Sequence, residues 1–174
     1  MSLSVDTVVV PVTFEPAKPA EINVERAIKV RDDHWVMLSQ ASVAALKLAC
    51  ELASDGGTVH IAHATLDLSP TATMHGPAGM LIPANIEELH QASKKHALRV
   101  LGIVADRFCK GTTPVLHVSP GNPLDMVLDY VGETAAGMLV LAASGRTRVE
   151  RFIIGSTVDK LVRRAPCPVV VVPG

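Results

Sequence analysis

The sequence predicts an α/β fold: an open five-stranded parallel sheet with helices packed on both faces. Three observations carry that expectation. Short apolar runs such as TVVVPVT, TVHIAHATL and MLVLAA alternate with longer segments of helical period, the pattern of repeated β-α units joined by right-handed crossovers. Apolar residues make up 48% of the 174, yet only 3% are aromatic, so the core must be built from Val, Leu, Ile and Ala. That mixture suits strands buried on both faces. Stops and caps also fall between the runs, with Gly56-Gly57 ending one helical segment and Asn122-Pro123 opening another. A chain of this length is expected to form one domain over residues 1–174.

In chain order, Thr7 to Thr13 reads as a buried first strand with Pro11 near its end. The inserted segment at about 15–37 is rich in charge and proline, and is expected to leave the sheet as a flap or an extra turn of helix. Ser39 to Ala53 reads as a helix with Ala45, Leu48, Ala49 and Leu52 in one stripe. Thr58 to Leu66 is a second strand, followed by a long loop at about 67–84 with three prolines and two glycines. The next helix starts at Asn85, which with Glu88 forms a capping-box pattern, and turns Leu89, Ala97, Val100, Leu101, Val104 and Phe108 inward. Pro114 to Ser119 is a third strand, and Leu124, Val127, Leu128 and Val131 are the inner face of the helix after it. Met138 to Ala143 is a continuously apolar, central fourth strand. Ser156 then opens a short helix with Val158, Leu161, Val162 and Ala165 on one side, and Val169 to Val172 is the fifth strand.

Bulk properties exclude several functions. A formal net charge of −1 gives no electrostatic case for nucleic acid or an anionic membrane as partner. No apolar run is long enough to span a bilayer, and MSLSVDT lacks a basic segment followed by a hydrophobic one, so a cytoplasmic location is expected. Cys50, Cys109 and Cys167 are far apart and odd in number, and read as small buried hydrophobes rather than a disulfide framework.

In a doubly wound sheet, ligands sit beyond the carboxyl ends of the strands, where successive connections diverge. Thr13, Ala64-Thr65 and the stretch from Ala142 to Gly145 mark three such ends. Gly155-Ser156-Thr157 adds a helix N-terminus, whose free amides and positive dipole end favour an anion. Gly155 lets the backbone approach a ligand, and the hydroxyls of Ser156 and Thr157 add donors. The plainer alternative makes Ser156 an N-cap with Asp159 completing a box. The two differ in where Ser156 directs its side chain.

From Gly145 to Pro168 the chain reads glycine, nine residues, glycine, serine, a short helix and a Cys-Pro-Val strand. This stretch resembles the C-terminal signature of the universal stress proteins, as do VVVPVTF near the start and Gly121-Asn122-Pro123 at the entry to the third helix. The resemblance implies a Rossmann-like sheet of the adenine nucleotide alpha hydrolase type, with strand order 3-2-1-4-5. It also implies ATP or AMP across the ends of the first and fourth strands. Adenine and ribose would lie against Pro11, Thr13 and Ala64, with Ala142 close to the ribose. The phosphates would reach Gly145, Arg146, Gly155, Ser156 and Thr157, and Mg²⁺ would enter only as carried by the nucleotide. A homodimer through the C-terminal strand follows from the same resemblance, and PVVVVPG reads independently as an exposed edge.

Two positions depart from the nucleotide-binding pattern. Thr13 stands where binding members carry an aspartate, and Ala142 where the motif begins with a glycine. They support a second reading, a member of the family that binds no nucleotide and acts as a protein-interaction module. Of the three arginines Arg146, Arg148 and Arg151, only Arg146 is placed to lie over phosphates. His60 and His63 are three apart on a strand, face opposite ways and cannot share a metal ion. No P-loop, no G-x-G-x-x-G after the first strand and no nucleophile elbow is present, so no catalytic residue is assigned. Any hydrolysis of bound ATP is expected to be slow and incidental.

Overall fold

A computed structural model describes residues 5–18, 20, 22–53, 56–67, 85–143 and 155–173. The strands are β1 (Thr7–Pro11), β2 (Phe14–Pro16), β3 (Ala27–Lys29), β4 (Trp35–Leu38), β5 (Thr58–Thr65), β6 (Thr113–Pro120), β7 (Met138–Ala142) and β8 (Val169–Val172). The helices are α1 (Gln40–Leu52), α2 (Ile86–Phe108), α3 (Pro123–Glu133) and α4 (Ser156–Arg164). Five strands form one sheet in the order β6-β5-β1-β7-β8, with every pairing parallel.

Because the sheet is covered on both sides, its side chains fall into two cores. Val8, Val10, Ile61 and Val140 pack with Leu46, Ala49, Leu101 and Val104 of α1 and α2. Val9, Ala62, Leu139 and Leu141 pack with Val127, Val131, Val158 and Leu161 of α3 and α4. Alternation along each strand therefore sorts every neighbouring pair of residues to opposite faces. Alanine at three α1 positions facing the sheet lets that helix approach β1 and β7 closely. Gly57 is required for a similar reason: a Cβ there would meet the carbonyl oxygens of Ala53 and Val5 at 2.7 and 2.8 Å.

Local caps explain most boundaries. The Ser39 hydroxyl accepts from the Ser42 amide at 3.0 Å and starts α1. The Asn122 side chain accepts from the Leu124 amide at 2.9 Å and starts α3, with Pro123 in the first turn. Asn85 behaves differently from the expected capping box: its side chain makes no cap bond and instead donates to Glu88 at 3.0 Å. Leu89 also departs from its expected inward place and is exposed. The cause is length. Twenty-three residues of helix run about 34 Å, against about 26 Å for the eight-residue strands beside it, so the first turns of α2 overhang the sheet. Val162 is likewise exposed rather than inward, because Val158 and Leu161 alone anchor α4. The long loop expected at 67–84 lies, after Asp67, outside the described residues.

The inserted segment, expected as a flap or an extra turn of helix, is built mainly of strands, with Ala20 in 3-10 conformation. It forms a three-stranded antiparallel sheet, β2-β4-β3, that continues directly from β1 and returns into α1. Ile28, Val36 and Leu38 are fully buried in the same core as α1 and α2. Arg107 of α2 fastens it, donating to the carbonyls of Ala27, Val24 and Glu25 at 2.9, 2.7 and 3.0 Å. Charge-assisted bonds of this kind are the strong ones, but two of the three are exposed and water can replace them. Arg107→Ala should therefore cost about 1–2 kcal/mol. Hydrogen exchange should show faster opening of β3 and β4, with β1 and β7 amides changed far less; uniform acceleration across both sheets would contradict this.

Candidate functional site

The order of strands creates a divergence. From β1 the chain passes through α1 to β5 on one side, whereas β6 leads through α3 to β7 on the other. Pairing reflects the split: β1 stays in register with β5 through Pro11–Ala62, but its ladder with β7 covers only Val8–Met138 and Val9–Leu139. Beyond those pairs the carboxyl ends of β1 and β7 separate, which is the switch point where ligands bind in such sheets.

Pro11, Thr13 and Ala64 all reach this edge. The Val12 amide donates to the Ala62 carbonyl at 2.8 Å, extending the alignment past the end of β1. β1 ends at Pro11, so Thr13 lies beyond the strand expected to contain it and is exposed. By alternation from Val9 and Ala62, the residues Pro11 and Ala64 face the side that carries α3 and α4. Ala142 closes β7 in strand conformation, with negative φ, so its methyl group brings no backbone strain. The next amide, of Ala143, donates to Val172 at 2.8 Å and holds this end of β7 to β8.

Gly155, Ser156 and Thr157 stand at the opening turn of α4. Here the structure overturns the plainer alternative. Gly155, not Ser156, is the N-cap, with φ −55° and ψ 148°, and its carbonyl accepts from the Asp159 amide at 3.0 Å. Among the described residues, no side chain caps the helix. Ser156 is the first helical residue and is exposed, as is Thr157. Asp159 completes no box, since both its carboxylate oxygens accept from Arg163 at 3.1 Å. Among the described residues, no hydroxyl or carboxylate bonds the first amides of α4, the arrangement an anion needs. Gly145 and Arg146, expected to share the phosphates, lie outside the described residues, as do Arg148 and Arg151.

One feature near this edge gave little sequence signal. His63 is stacked on Phe14 with ring centroids 4.3 Å apart, and its Nδ1 donates to the Val12 carbonyl at 2.8 Å. The ring therefore ties β5 to the chain between β1 and the inserted sheet. Phe14 also meets His96 of α2 edge-on, and His96 meets His34 of the insert. His60, as its spacing requires, points the other way and bonds Tyr130 at 2.7 Å. Among the described residues no group of three or more His, Cys, Asp or Glu could hold a metal ion.

Burial lowers the basicity of His63, and the bond to Val12 offsets it only in part. His60, His96 and His117 are lowered as well, burial again the largest cause. A base with a folded pKa below its unfolded value favours the neutral form in the fold. Stability from these groups is complete above about pH 6.5 and falls as pH drops through that value. Melting temperature should accordingly decline between pH 7.5 and pH 5.5; a flat profile over that interval would contradict it.

Comparison with known proteins gives a consistent result. The universal stress protein family model matches residues 36–173. A universal stress protein of Methanocaldococcus jannaschii is 25% identical over 134 residues, covering 77% of this chain and 76% of that protein. The fold is similar to that of a Lactobacillus plantarum universal stress protein, with TM-score 0.63 and 21% identity over 99% of both chains. It is also similar to an Arabidopsis thaliana universal stress protein solved with AMP bound, with TM-score 0.56 and 17% identity over 96% of this chain and 90% of that one. Among the described residues, no helix is long and apolar enough to cross a membrane. The chain belongs to the universal stress protein family.

Proposed function

We propose that this chain binds ATP or AMP at the carboxyl ends of β1 and β7, and acts as a nucleotide-responsive, dimeric regulatory protein of the cytoplasm. The observation that carries the reading is the exposed first turn of α4, where the N-cap is Gly155 and brings no side chain of its own to the amides of Ser156 and Thr157. The AMP bound to the Arabidopsis relative supports it at the level of the fold. Adenine and ribose lie along Pro11, Thr13, Ala64 and Ala142, and Gly145 and Arg146 complete the phosphate site. Mg²⁺ arrives with ATP. No residue is assigned a catalytic role, and hydrolysis of bound ATP is slow. The half-exposed β8 at the sheet edge supports the dimer. Calorimetric titration with ATP, ADP and AMP tests the reading: micromolar or weaker binding of at least one is expected, and no heat with all three would reject it.

Thr13 favours the second reading, an interaction module without nucleotide. Its hydroxyl offers one contact where a carboxylate accepts two. If the crevice is a nucleotide site weakened at this position, Thr13→Asp should raise AMP affinity about tenfold. An unchanged titration would favour the interaction module.

A further inference from the structure

At the opposite edge of the sheet, where α1 and α2 end, an open recess of about 300 Å³ is lined by Lys47, Cys50, Glu51, Phe108 and Lys110. Cys50 thus faces the residues on both sides of Cys109 in the chain. Both cysteines belong to the core between α1, α2 and the sheet, being 8% and 4% exposed, and neither is in a disulfide. Cys109 is the C-cap of α2, its amide bonded to Ala105 at 2.9 Å and its carbonyl accepting from the Thr112 hydroxyl at 3.2 Å. That turn holds Cys109 between Phe108 and Lys110, which share the recess wall with Cys50. We propose that Cys50 and Cys109 form a reversible dithiol–disulfide site, oxidised by hydrogen peroxide that enters through this recess.

The two thiols are not equivalent. The Cys109 thiol donates a hydrogen bond to the Cys50 sulfur, which outweighs burial, so Cys50 ionises more readily than an ordinary cysteine. Sharing that proton, together with burial, pushes Cys109 far up. Cys50 lines the recess by which peroxide arrives and is the attacking sulfur, whereas Cys109, buried behind it, resolves. In the first step the Cys50 thiolate attacks one peroxide oxygen and the O–O bond breaks. The leaving hydroxide takes a proton and departs as water, and Cys50 is left as a sulfenic acid. The Cys109 sulfur then attacks the Cys50 sulfur, the S–O bond breaks, and the hydroxyl leaves as water with the Cys109 proton. Two electrons pass from the sulfurs to the peroxide, which becomes two waters. Cys167 lies in the other core, packed near α4 and β8, and takes no part. The site is remote from the crevice and independent of nucleotide binding.

The test uses the whole chain, reduced, freed of reductant, treated with hydrogen peroxide and then alkylated with N-ethylmaleimide. Mass spectrometry should find Cys167 alkylated and the peptides carrying Cys50 and Cys109 joined, two hydrogens lighter, with dithiothreitol restoring both thiols. Cys109→Ser should leave a Cys50 sulfenic acid that dimedone traps. Cys50→Ser should slow the loss of the Cys109 thiol at least about tenfold. The proposal is overturned if both cysteines stay open to alkylation at peroxide levels that consume Cys167, or if the only disulfides formed join separate chains.

Discussion

Gly155→Asp should lower affinity for AMP and ATP about a hundredfold, roughly 3 kcal/mol, while leaving the protein at least as stable as before. The expectation comes from the position of the residue. As N-cap of α4, with φ −55°, it sits in backbone that any residue adopts, so a side chain there strains nothing. An aspartate oxygen would accept from the amide of Thr157 or Val158, and its charge would suit the helix dipole. The Thr157 amide is one of those assigned to phosphate, and the carboxylate beside it would repel the anion. Stability and affinity therefore move in opposite directions, which no general loosening of the fold produces. Calorimetry and thermal melting on the same preparation check this. Unchanged affinity would show that phosphate, if bound, is held elsewhere.

Leu139→Ala should cost about 3 kcal/mol of folding stability. Leu139 is fully buried on β7, the strand that flanks β1 at the switch point, and packs against α3 and α4. The loss combines the transfer of the removed carbons with a cavity that strands fixed on both sides cannot collapse to fill. Urea unfolding should show a lower midpoint with an unchanged slope. Val162→Ala, on the exposed side of α4, should stay within about 0.5 kcal/mol of the parent. Similar costs for both would contradict the placement of this core.

Much of this architecture was legible because it rests on patterns that single residues report. Aliphatic runs mark strands buried on both faces, and Ser39 and Asn122 announce helices that their side chains do cap. The insert was not legible. Its strands are three or four residues long, too short for alternation to register, and Pro16 and the charges around Asp32 and Asp33 mask them. What makes them strands is tertiary: Ile28, Val36 and Leu38 reach a core supplied by distant residues, and Arg107 clamps them from α2. Leu89 fits the apolar stripe of its helix, but only the end of α2 that lies over the sheet can bury it. Gly155-Ser156-Thr157 marked the start of a helix but not its cap, since glycine and serine are both accepted there. Glycine at the cap brings no side chain to the first amides.

The claim on which the functional reading depends is that these amides hold phosphate oxygens. Amide proton and nitrogen shifts of the ¹⁵N-labelled protein, followed during titration with AMP, test it most directly. The account predicts that the largest movements fall on Ser156, Thr157 and Val158, with smaller ones at Thr13 and Ala64, and that Gly155→Asp removes them. Spectra in which those resonances stay in place at saturating AMP would contradict it.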